Sequence, residues 1–353
     1  MSYLRNTWYV AAMHDELPPG RLLARIYLDE PVVLFRNAAG EPQALADRCP
    51  HRFAPLSAGK LCNGGDTVQC GYHGLQFDGK GACTHNPQGD GGIPKAAVVK
   101  AYAVRERHGL IWLWAGEAKE ADESLIPDYS AVTSAHVDGT IRGYMPTACS
   151  AELFVDNILD LTHVDFLHPT TLGSGALSRA KAVVTEPSER SVKIVWVSSG
   201  DVAPYAFDIN LREQGRPTDQ WTEVTWTAPS TMLIRVGATL LGEPREAGVD
   251  TLNLHLATPE SAGRTHYWYW STRNFGLTPE ANAQATPMVV NVFKLEDKPM
   301  LEAQQQRMGT ADFWSLKPVL LPGDAGAVRA RRKLKALIDA EASAATPTDG
   351  AAA

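Results

Sequence analysis

The sequence lacks the features that mark secreted, membrane-spanning and general nucleic-acid-binding proteins. It has 5 cysteines in 353 residues, too few for a disulfide scaffold. Its apolar runs, such as 109–116, are far shorter than a bilayer-spanning helix. Acidic residues outnumber basic ones by 40 to 33, and the net charge of −7 disfavours a general nucleic-acid binder. Because the first residues also lack the charged-then-apolar pattern of a signal peptide, we predict a cytoplasmic protein.

The residues that are present describe an ordinary globular protein, long enough for two domains, with 44% hydrophobic and 21% charged residues. From Trp8 to Asp47, short runs rich in β-branched and aromatic residues alternate with turn signals, which predicts a meander of strands. The apolar run 109–115 is typical of a buried strand. An acidic, linker-like stretch then ends near Asp128, so we predict an all-β first domain over residues 1–128.

Two Cys-to-His pairs lie in this first domain. One residue separates Cys49 from His51, two separate Cys70 from His73, and eighteen residues, 52–69, lie between the pairs. Two thiolates can hold one iron of a [2Fe-2S] cluster while two neutral imidazoles hold the other, which raises the reduction potential. A mononuclear zinc site with the same four ligands is the chemical alternative. The order and softness of the ligands favour the iron–sulfur cluster.

A second group of metal-binding side chains lies near the middle of the chain. On a helix, Asn157, Asp160 and His163 share roughly one face. His168 lies five positions beyond His163, about 140° out of line, so both imidazoles reach one ion only if the helix ends or bulges between them. Pro169 favours an ending, because the residue before a proline avoids the α region. The alternative is an amphipathic helix with two incidental histidines.

The remainder predicts a second domain over residues 141–341. A helix over 152–167 is followed by runs that alternate apolar and polar residues, at 183–185, 192–197, 207–211, 222–226, 232–238, 251–257 and 266–271. This pattern predicts one long antiparallel sheet, and therefore an α+β protein. Two helices follow, one from Thr286 and Pro287 to Arg307 and a surface helix over 324–341. The Ala- and Thr-rich tail, 342–353, is predicted to be disordered.

The first of these late helices contains adjacent carboxylates, Glu296 and Asp297. Pro299 cannot donate to the carbonyl of Leu295, so we expect a kink that can turn a nearby carboxylate toward a pocket. Two histidines and one carboxylate on one side of an ion leave positions open, as in iron(II) oxygenases. The alternative is a solvated run of charges.

Taken together, Cys-Pro-His-Arg at 49–52, Cys-Gly-Tyr-His-Gly at 70–74 and the Asp-x-x-His-x-x-x-x-His run from Asp160 resemble the oxygenase components of Rieske non-haem iron oxygenases. Within that family, the runs at 6–11, 72–75 and 258–275 are similar to vanillate O-demethylase, dicamba monooxygenase and toluenesulfonate methyl-monooxygenase. The resemblance implies a Rieske [2Fe-2S] domain followed by a helix-grip, START-like catalytic domain whose curved antiparallel sheet surrounds a long helix.

The resemblance also implies roles for individual residues. It assigns mononuclear Fe(II) to His163, His168 and Asp297, with Glu296 as the second choice for the carboxylate. Asp160 would then link the two metal sites and be catalytic, together with Asn157.

Three further residues are candidates for substrate contact. By the same resemblance His255 contacts the substrate. Arg235 is a candidate for the same cavity, although a strand residue with its head in solvent is the alternative. Met288 stands where the dicamba enzyme has a tryptophan, which argues against dicamba as the substrate.

The implied activity is that of a terminal monooxygenase that O-demethylates a vanillate-like methoxylated aromatic acid with O₂ and releases formaldehyde. The implied partners are a separate reductase of flavin or ferredoxin type, fed by NAD(P)H, and two further copies of the chain in a homotrimer. Hydroxylation of a ring carbon or methyl group by the same iron site is an alternative. An alternative of another class is a Rieske electron carrier without catalytic iron.

Overall fold

The computed structural model describes residues 2–169, 171–173, 175 and 177–345. The chain divides into two compact units, the first ending at Asp128 and the second beginning at Tyr129. No helix in the described residues combines the length and apolar character that a membrane crossing requires.

The first unit is built from short strands in three small antiparallel sheets, ordered β1-β11-β10, β2-β3-β4-β9 and β5-β6-β7-β8. Aromatic and aliphatic residues in β1 and β11 are buried along their whole length, as the run at 109–115 predicted. The strands are β1 Trp8–Met13, β2 Leu23–Tyr27, β3 Glu30–Arg36, β4 Pro42–Ala46, β5 Lys60–Cys62, β6 Thr67–Gln69, β7 Gln76–Asp78, β8 Cys83–His85, β9 Ala101–Tyr102, β10 Val104–Arg107 and β11 Leu110–Trp114.

The second unit is organised around one seven-stranded antiparallel sheet, ordered β12-β18-β17-β16-β15-β14-β13. Its strands are β12 Thr140–Thr147, β13 Val183–Ser188, β14 Ser191–Asp201, β15 Thr218–Thr227, β16 Thr231–Leu240, β17 Val249–Ser261 and β18 Arg264–Arg273. Alternate residues such as Val224, Trp226 and Met232 face the core. The predicted α+β class, with an all-β first domain and a long antiparallel sheet in the second, is confirmed.

Helices cover this sheet and carry much of the site. They are α1 Ser130–Thr133, α2 Ala151–Leu159, α3 Val164–Leu167, α4 Tyr205–Asp208, α5 Pro279–Asn291, α6 Lys298–Met308 and α7 Ala325–Ala345, with a π-helical segment, Val292–Asp297, between α5 and α6. Ser150 caps α2 by accepting from the N–H of Leu153, and Thr278 caps α5 by accepting from that of Ala281.

Several boundaries differ from the predictions. The expected start at Thr286 and Pro287 was wrong, because α5 begins at Pro279 and contains Pro287 in its interior. The predicted strand 207–211 was also wrong, since Tyr205–Asp208 forms the short helix α4. The last helix continues through Ala345, into the segment predicted to be disordered, and residues 346–353 lie outside the described part of the chain.

Arg331 ties α7 to α2. Its buried guanidinium donates to Asp156 at 2.6–3.0 Å and also contacts Glu152, so one cation faces two carboxylates. Burial raises the pKa of Asp156 to about 6, against the opposing effect of Arg331. This buried ion-pair group fixes the helix from which Asn157 projects.

Candidate metal centres and substrate cavity

The two Cys-to-His pairs of the first unit lie in loops with matching backbone bonds. Cys49 donates its N–H to the carbonyl of Ala54 at 2.9 Å, and Cys70 donates to that of Leu75 at 2.8 Å. A return bond closes each loop, from Phe53 to Cys49 at 2.9 Å and from Gly74 to Cys70 at 3.1 Å. Two loops of one design therefore each present a thiol and an imidazole.

Glycine is required where these loops turn and approach neighbouring backbone. Gly74 has a φ of +81°, in the left-handed region that favours glycine. A Cβ on Gly71 would lie 2.7 Å from the carbonyl oxygen of Ala58, so a side chain there would displace one of the crossing segments. The sequence Cys-Gly-Tyr-His-Gly thus carries backbone requirements as well as ligands.

The four side chains fit a [2Fe-2S] cluster better than one zinc ion. Cys49 and Cys70 are each 2% exposed, while the rings of His51 and His73 meet edge to face with centroids 4.5 Å apart near the surface. Burial raises the pKa of the Cys49 thiol, and neighbouring Cys70 raises it further. Within the described residues, these four ligand atoms do not converge on one point as a tetrahedral zinc site requires.

A second set of ligands does converge, in the second unit. One atom each from His163, His168 and Asp297 lie within 4.8 Å of one another. Asp297 Oδ1 is 3.1 Å from His168 Nε2 and 3.6 Å from His163 Nε2. Two imidazoles and one carboxylate around a shared point match the donor set of non-haem iron(II) oxygenases and leave other positions open.

The helix ends between the two histidines, as Pro169 predicted, and it is also interrupted earlier, after Leu159. The helix predicted over 152–167 ends at Leu159, and Asp160 caps a 3₁₀ turn by accepting from Thr162 N–H at 3.0 Å. The short helix α3 then ends before His168. Both imidazoles can therefore face one point although they are five positions apart.

The carboxylate reaches the same point from a widened helical turn. Pro299 has no N–H for the carbonyl of Leu295, and the six residues Val292–Asp297 form π-helix. The distortion of the helix that we predicted from Pro299 is therefore present, and it takes the form of a π-helical segment. It leaves Asp297 6% exposed, so the carboxylate is buried beside the two imidazoles.

The two imidazoles have different partners at Nδ1. That of His163 lies 2.7 Å from the backbone oxygen of Asp160, a neutral acceptor. That of His168 lies 2.5 Å from Glu296 Oε2, an anionic acceptor. A bond at Nδ1 leaves the Nε2 lone pair for a metal. Glu296, the second choice for a ligand, thus contacts the back of a histidine and not the shared point.

The pKa values of the two histidines are shifted in opposite directions. Burial lowers the pKa of His163, which Asp297 only partly opposes. Burial acts in the same direction on His168, but its bonds to Asp297 and Glu296 outweigh it and raise its pKa. Asn157 adds a neutral group, with its Nδ2 3.3 Å from Asp297 Oδ1 and 3.5 Å from His163 Nε2.

A cavity of about 460 Å³ opens from these residues between the sheet and α5. His255, 2% exposed, and Met288, the two residues predicted together with Arg235 to contact the substrate, line this cavity. The Nδ1 of His255 lies 2.6 Å from the hydroxyl of Tyr267, and burial lowers its pKa to about 4, so the ring is neutral at pH 7.

The prediction that Arg235 faces the cavity was wrong. Ile234 and Val236 line the cavity, whereas Arg235 projects from the opposite face of β16 and forms an ion pair with Asp250 at 2.5 Å. The reason is the period of two along a strand, which places 235 opposite both neighbours.

Asn253, Ser271 and Thr251 are among the cavity residues that were not predicted from the sequence. Asn253 and Ser271 are directly paired across β17 and β18. Strand alternation could have predicted the position of Asn253, because it lies two residues before His255 and therefore on the same face of β17.

Comparisons with known proteins bear on both units. Residues 7–103 match the Rieske [2Fe-2S] domain, and residues 147–340 match the vanillate O-demethylase oxygenase C-terminal domain. The oxygenase component of dicamba O-demethylase from Stenotrophomonas maltophilia is 36% identical, over 97% of this chain and 100% of the relative. The oxygenase component of chloroacetanilide N-alkylformylase from Rhizorhabdus wittichii is 37% identical, over 96% of this chain and 97% of the relative.

A solved structure is similar to the whole chain. The crystal structure of dicamba monooxygenase bound to 3,6-dichlorosalicylic acid superposes with a TM-score of 0.88 at 35% identity, covering 97% of this chain and 100% of that chain.

Proposed function

Because the chain belongs to the Rieske non-haem iron oxygenase components with a vanillate O-demethylase-type C-terminal domain, as its motifs predicted, we propose that it O-demethylates a methoxylated aromatic acid of the vanillate type. The observation that carries the proposal is the convergence of His163, His168 and Asp297 at a mostly apolar cavity, in one chain with a Rieske domain. An electron carrier needs no such cavity.

The overall reaction is balanced by O₂ and a reductant. The methoxy carbon is hydroxylated, and the resulting hemiacetal separates into a phenol and formaldehyde. NAD(P)H supplies two electrons through a separate reductase, and the second oxygen atom leaves as water. Bound iron supplies O₂ activation and the [2Fe-2S] cluster supplies single electrons.

The chain's own residues bind and orient these groups. We assign Cys49, His51, Cys70 and His73 to the cluster as its four ligands. His163, His168 and Asp297 are assigned to the mononuclear iron. Neutral His255 and the side chain of Met288 are assigned to the substrate.

We further propose that the active form is a homotrimer in which the cluster of one subunit serves the iron of its neighbour, with Asp160 as the link. Asp160 also caps the 3₁₀ turn Leu161–His163, so its replacement must separate the two roles. Asn caps as well as Asp but carries no charge.

Asp160→Asn is therefore expected to retain both metals and lose turnover. Iron content, the visible spectrum and formaldehyde release measure this. The exposed Asp339→Asn in α7 is the control and should retain wild-type rates. Coupled turnover at the wild-type rate in Asp160→Asn would refute the link.

The activity itself is tested by supplying the purified chain with a surrogate reductase, NADH and a panel of methoxybenzoates. The panel includes a chloroacetanilide, because the relative from Rhizorhabdus wittichii is named for that class of compound. Formaldehyde equal to NADH consumed supports demethylation. Ring-hydroxylated products without formaldehyde would favour the alternative, hydroxylation of a ring carbon or methyl group.

A further inference from the structure

A polar pair interrupts the apolar wall of the cavity. In the sheet register, Asn253 of β17 lies opposite Ser271 of β18. Ile234 of β16 lies beyond Asn253, and Ile141 of β12 lies beyond Ser271. All four line the cavity. Two adjacent polar side chains in an otherwise aliphatic row mark the place where a ligand's polar group would be accommodated.

The hydrogen bonds that this pair already makes determine which donors and acceptors remain for a ligand. Ser271 donates its hydroxyl hydrogen to Asn253 Oδ1. Asn253 donates one amide hydrogen to Thr251 Oγ1 at 3.1 Å, and Thr251 in turn donates to the carbonyl of Val236 at 3.2 Å. One Asn253 N–H and the lone pairs of Ser271 Oγ therefore have no hydrogen-bond partner in the described part of the protein. The pair offers one donor and one acceptor, side by side.

The cavity offers little to a carboxylate at this position. A carboxylate only accepts hydrogen bonds, so Ser271 could bind it only by withdrawing its hydrogen from Asn253 Oδ1 and leaving that oxygen without a donor. In the described lining, Arg273 is the single guanidinium, and it already donates to Asn282 Oδ1 at 3.0 Å and to the carbonyl of Asp138 at 2.8 Å. A hydroxyl, which donates and accepts at once, satisfies both members of the pair.

Resting on the proposed function, we propose that Asn253 and Ser271 are specificity-determining residues that hold an uncharged phenolic hydroxyl on the methoxylated ring. The hydroxyl donates to Ser271 Oγ and accepts from Asn253 Nδ2. Thr251 is a positioning residue, because its bond to Asn253 holds the amide in the required orientation.

Four ligands separate the contribution of the hydroxyl from that of a carboxylate. Vanillate carries both groups, 3-methoxybenzoate the carboxylate alone, 2-methoxyphenol the hydroxyl alone, and methoxybenzene neither. Equilibrium binding is measured without O₂ on the metal-loaded protein, so it does not depend on turnover. We expect the hydroxyl to tighten binding about tenfold whether or not the carboxylate is present, the effect of one well-made set of hydrogen bonds.

Two variants and one control test whether the tighter binding of the hydroxyl depends on Asn253 and Ser271. Ser271→Ala removes a single oxygen and should abolish the tenfold preference for a hydroxyl, as should Asn253→Leu. Ser199→Ala, which removes a hydroxyl on the same sheet that donates to Asp219 outside the cavity, should retain it. Rieske absorbance and iron content confirm that each variant is folded.

Equal affinity for vanillate and 3-methoxybenzoate in the wild type, or an unchanged preference in Ser271→Ala, would overturn the inference while leaving demethylation intact. Absence of formaldehyde from every methoxylated ligand would refute the proposed function instead.

Discussion

The two candidate metal centres are built on different principles. The four cluster ligands come from two short loops whose backbone hydrogen bonds match, and each Cys-to-His pair lies within four residues of sequence. The ligands assigned to mononuclear iron come from a broken helix and a π-helical segment, with His168 and Asp297 129 positions apart. The first centre is a local motif held by its loops. The second depends on how elements distant in sequence pack together. Substitutions that disturb this packing should therefore weaken metal binding at the second centre and leave the cluster unchanged.

The largest expected effect separates the two centres outright. Cys70→Ser removes a thiolate ligand and should abolish the [2Fe-2S] absorbance and its electron paramagnetic resonance signal. The mononuclear site, in a different unit, should still bind about one metal ion per chain. Cys83→Ser, on a cysteine outside the motif, is the control. A Cys70→Ser protein with its cluster spectrum intact would contradict the ligand assignment.

The reciprocal substitution is Asp297→Ala. It removes the carboxylate of the second centre, so we expect the loss of the mononuclear iron together with an unchanged Rieske spectrum. Iron analysis and the visible spectrum measure both outcomes in one sample. Loss of both centres would show that they are not independent.

A smaller effect is expected from Glu296→Gln, because Glu296 contacts one histidine ligand of the mononuclear centre, His168, at Nδ1. Gln still accepts from His168 Nδ1 but lacks the charge, so Co(II) affinity at the mononuclear site should fall about 10- to 100-fold. Calorimetric titration of protein lacking only that metal measures it. Glu280→Gln, in the first turn of α5, should bind like the wild type, and so would Glu296→Gln if the contact had no role.

The effect farthest from the metal ligands is on stability, and it tests the ion pairs of Arg331 with Asp156 and Glu152. Arg331→Met leaves Asp156 without its cation and should cost about 3 kcal/mol at pH 8. The pKa of Asp156 is raised to about 6, so the stability contributed by its protonated form is complete below about pH 4 and is lost as pH rises through 6. The cost of Arg331→Met should therefore be smaller at pH 5 than at pH 8.

Thermal unfolding midpoints at both pH values test this, with the exposed Lys335→Met as the control, expected to change stability by less than about 1 kcal/mol. An equal loss at pH 5 and pH 8 would remove Asp156 from the account.

The contrast between a local motif and a packed site also explains how well each centre could be predicted from the sequence. The cluster motif could be read directly, because its ligands and glycines are local. At the second centre, Asp297 was assigned by resemblance, since Glu296 next to it has the same chemistry. Only the packed structure shows Glu296 against His168 Nδ1 and Asp297 at the shared point.

Boundaries were less predictable than ligands. Thr278-Pro279 and Thr286-Pro287 carry the same capping signal, and tertiary packing starts the helix at the first pair. The strand predicted at 207–211 is absent, and helix α4, Tyr205–Asp208, includes its first two residues. Five alternating residues carry little evidence against a helical turn. Arg235 was misplaced although strand alternation already put it opposite Ile234.

The central claim is that one chain holds two separate iron centres, and metal analysis tests it most directly. Purified protein should contain about three irons and two acid-labile sulfides per chain, two irons in the cluster and one outside it. Two irons with two sulfides, unchanged after incubation with Fe(II), would reduce the protein to an electron carrier. Zinc without sulfide would contradict the account entirely.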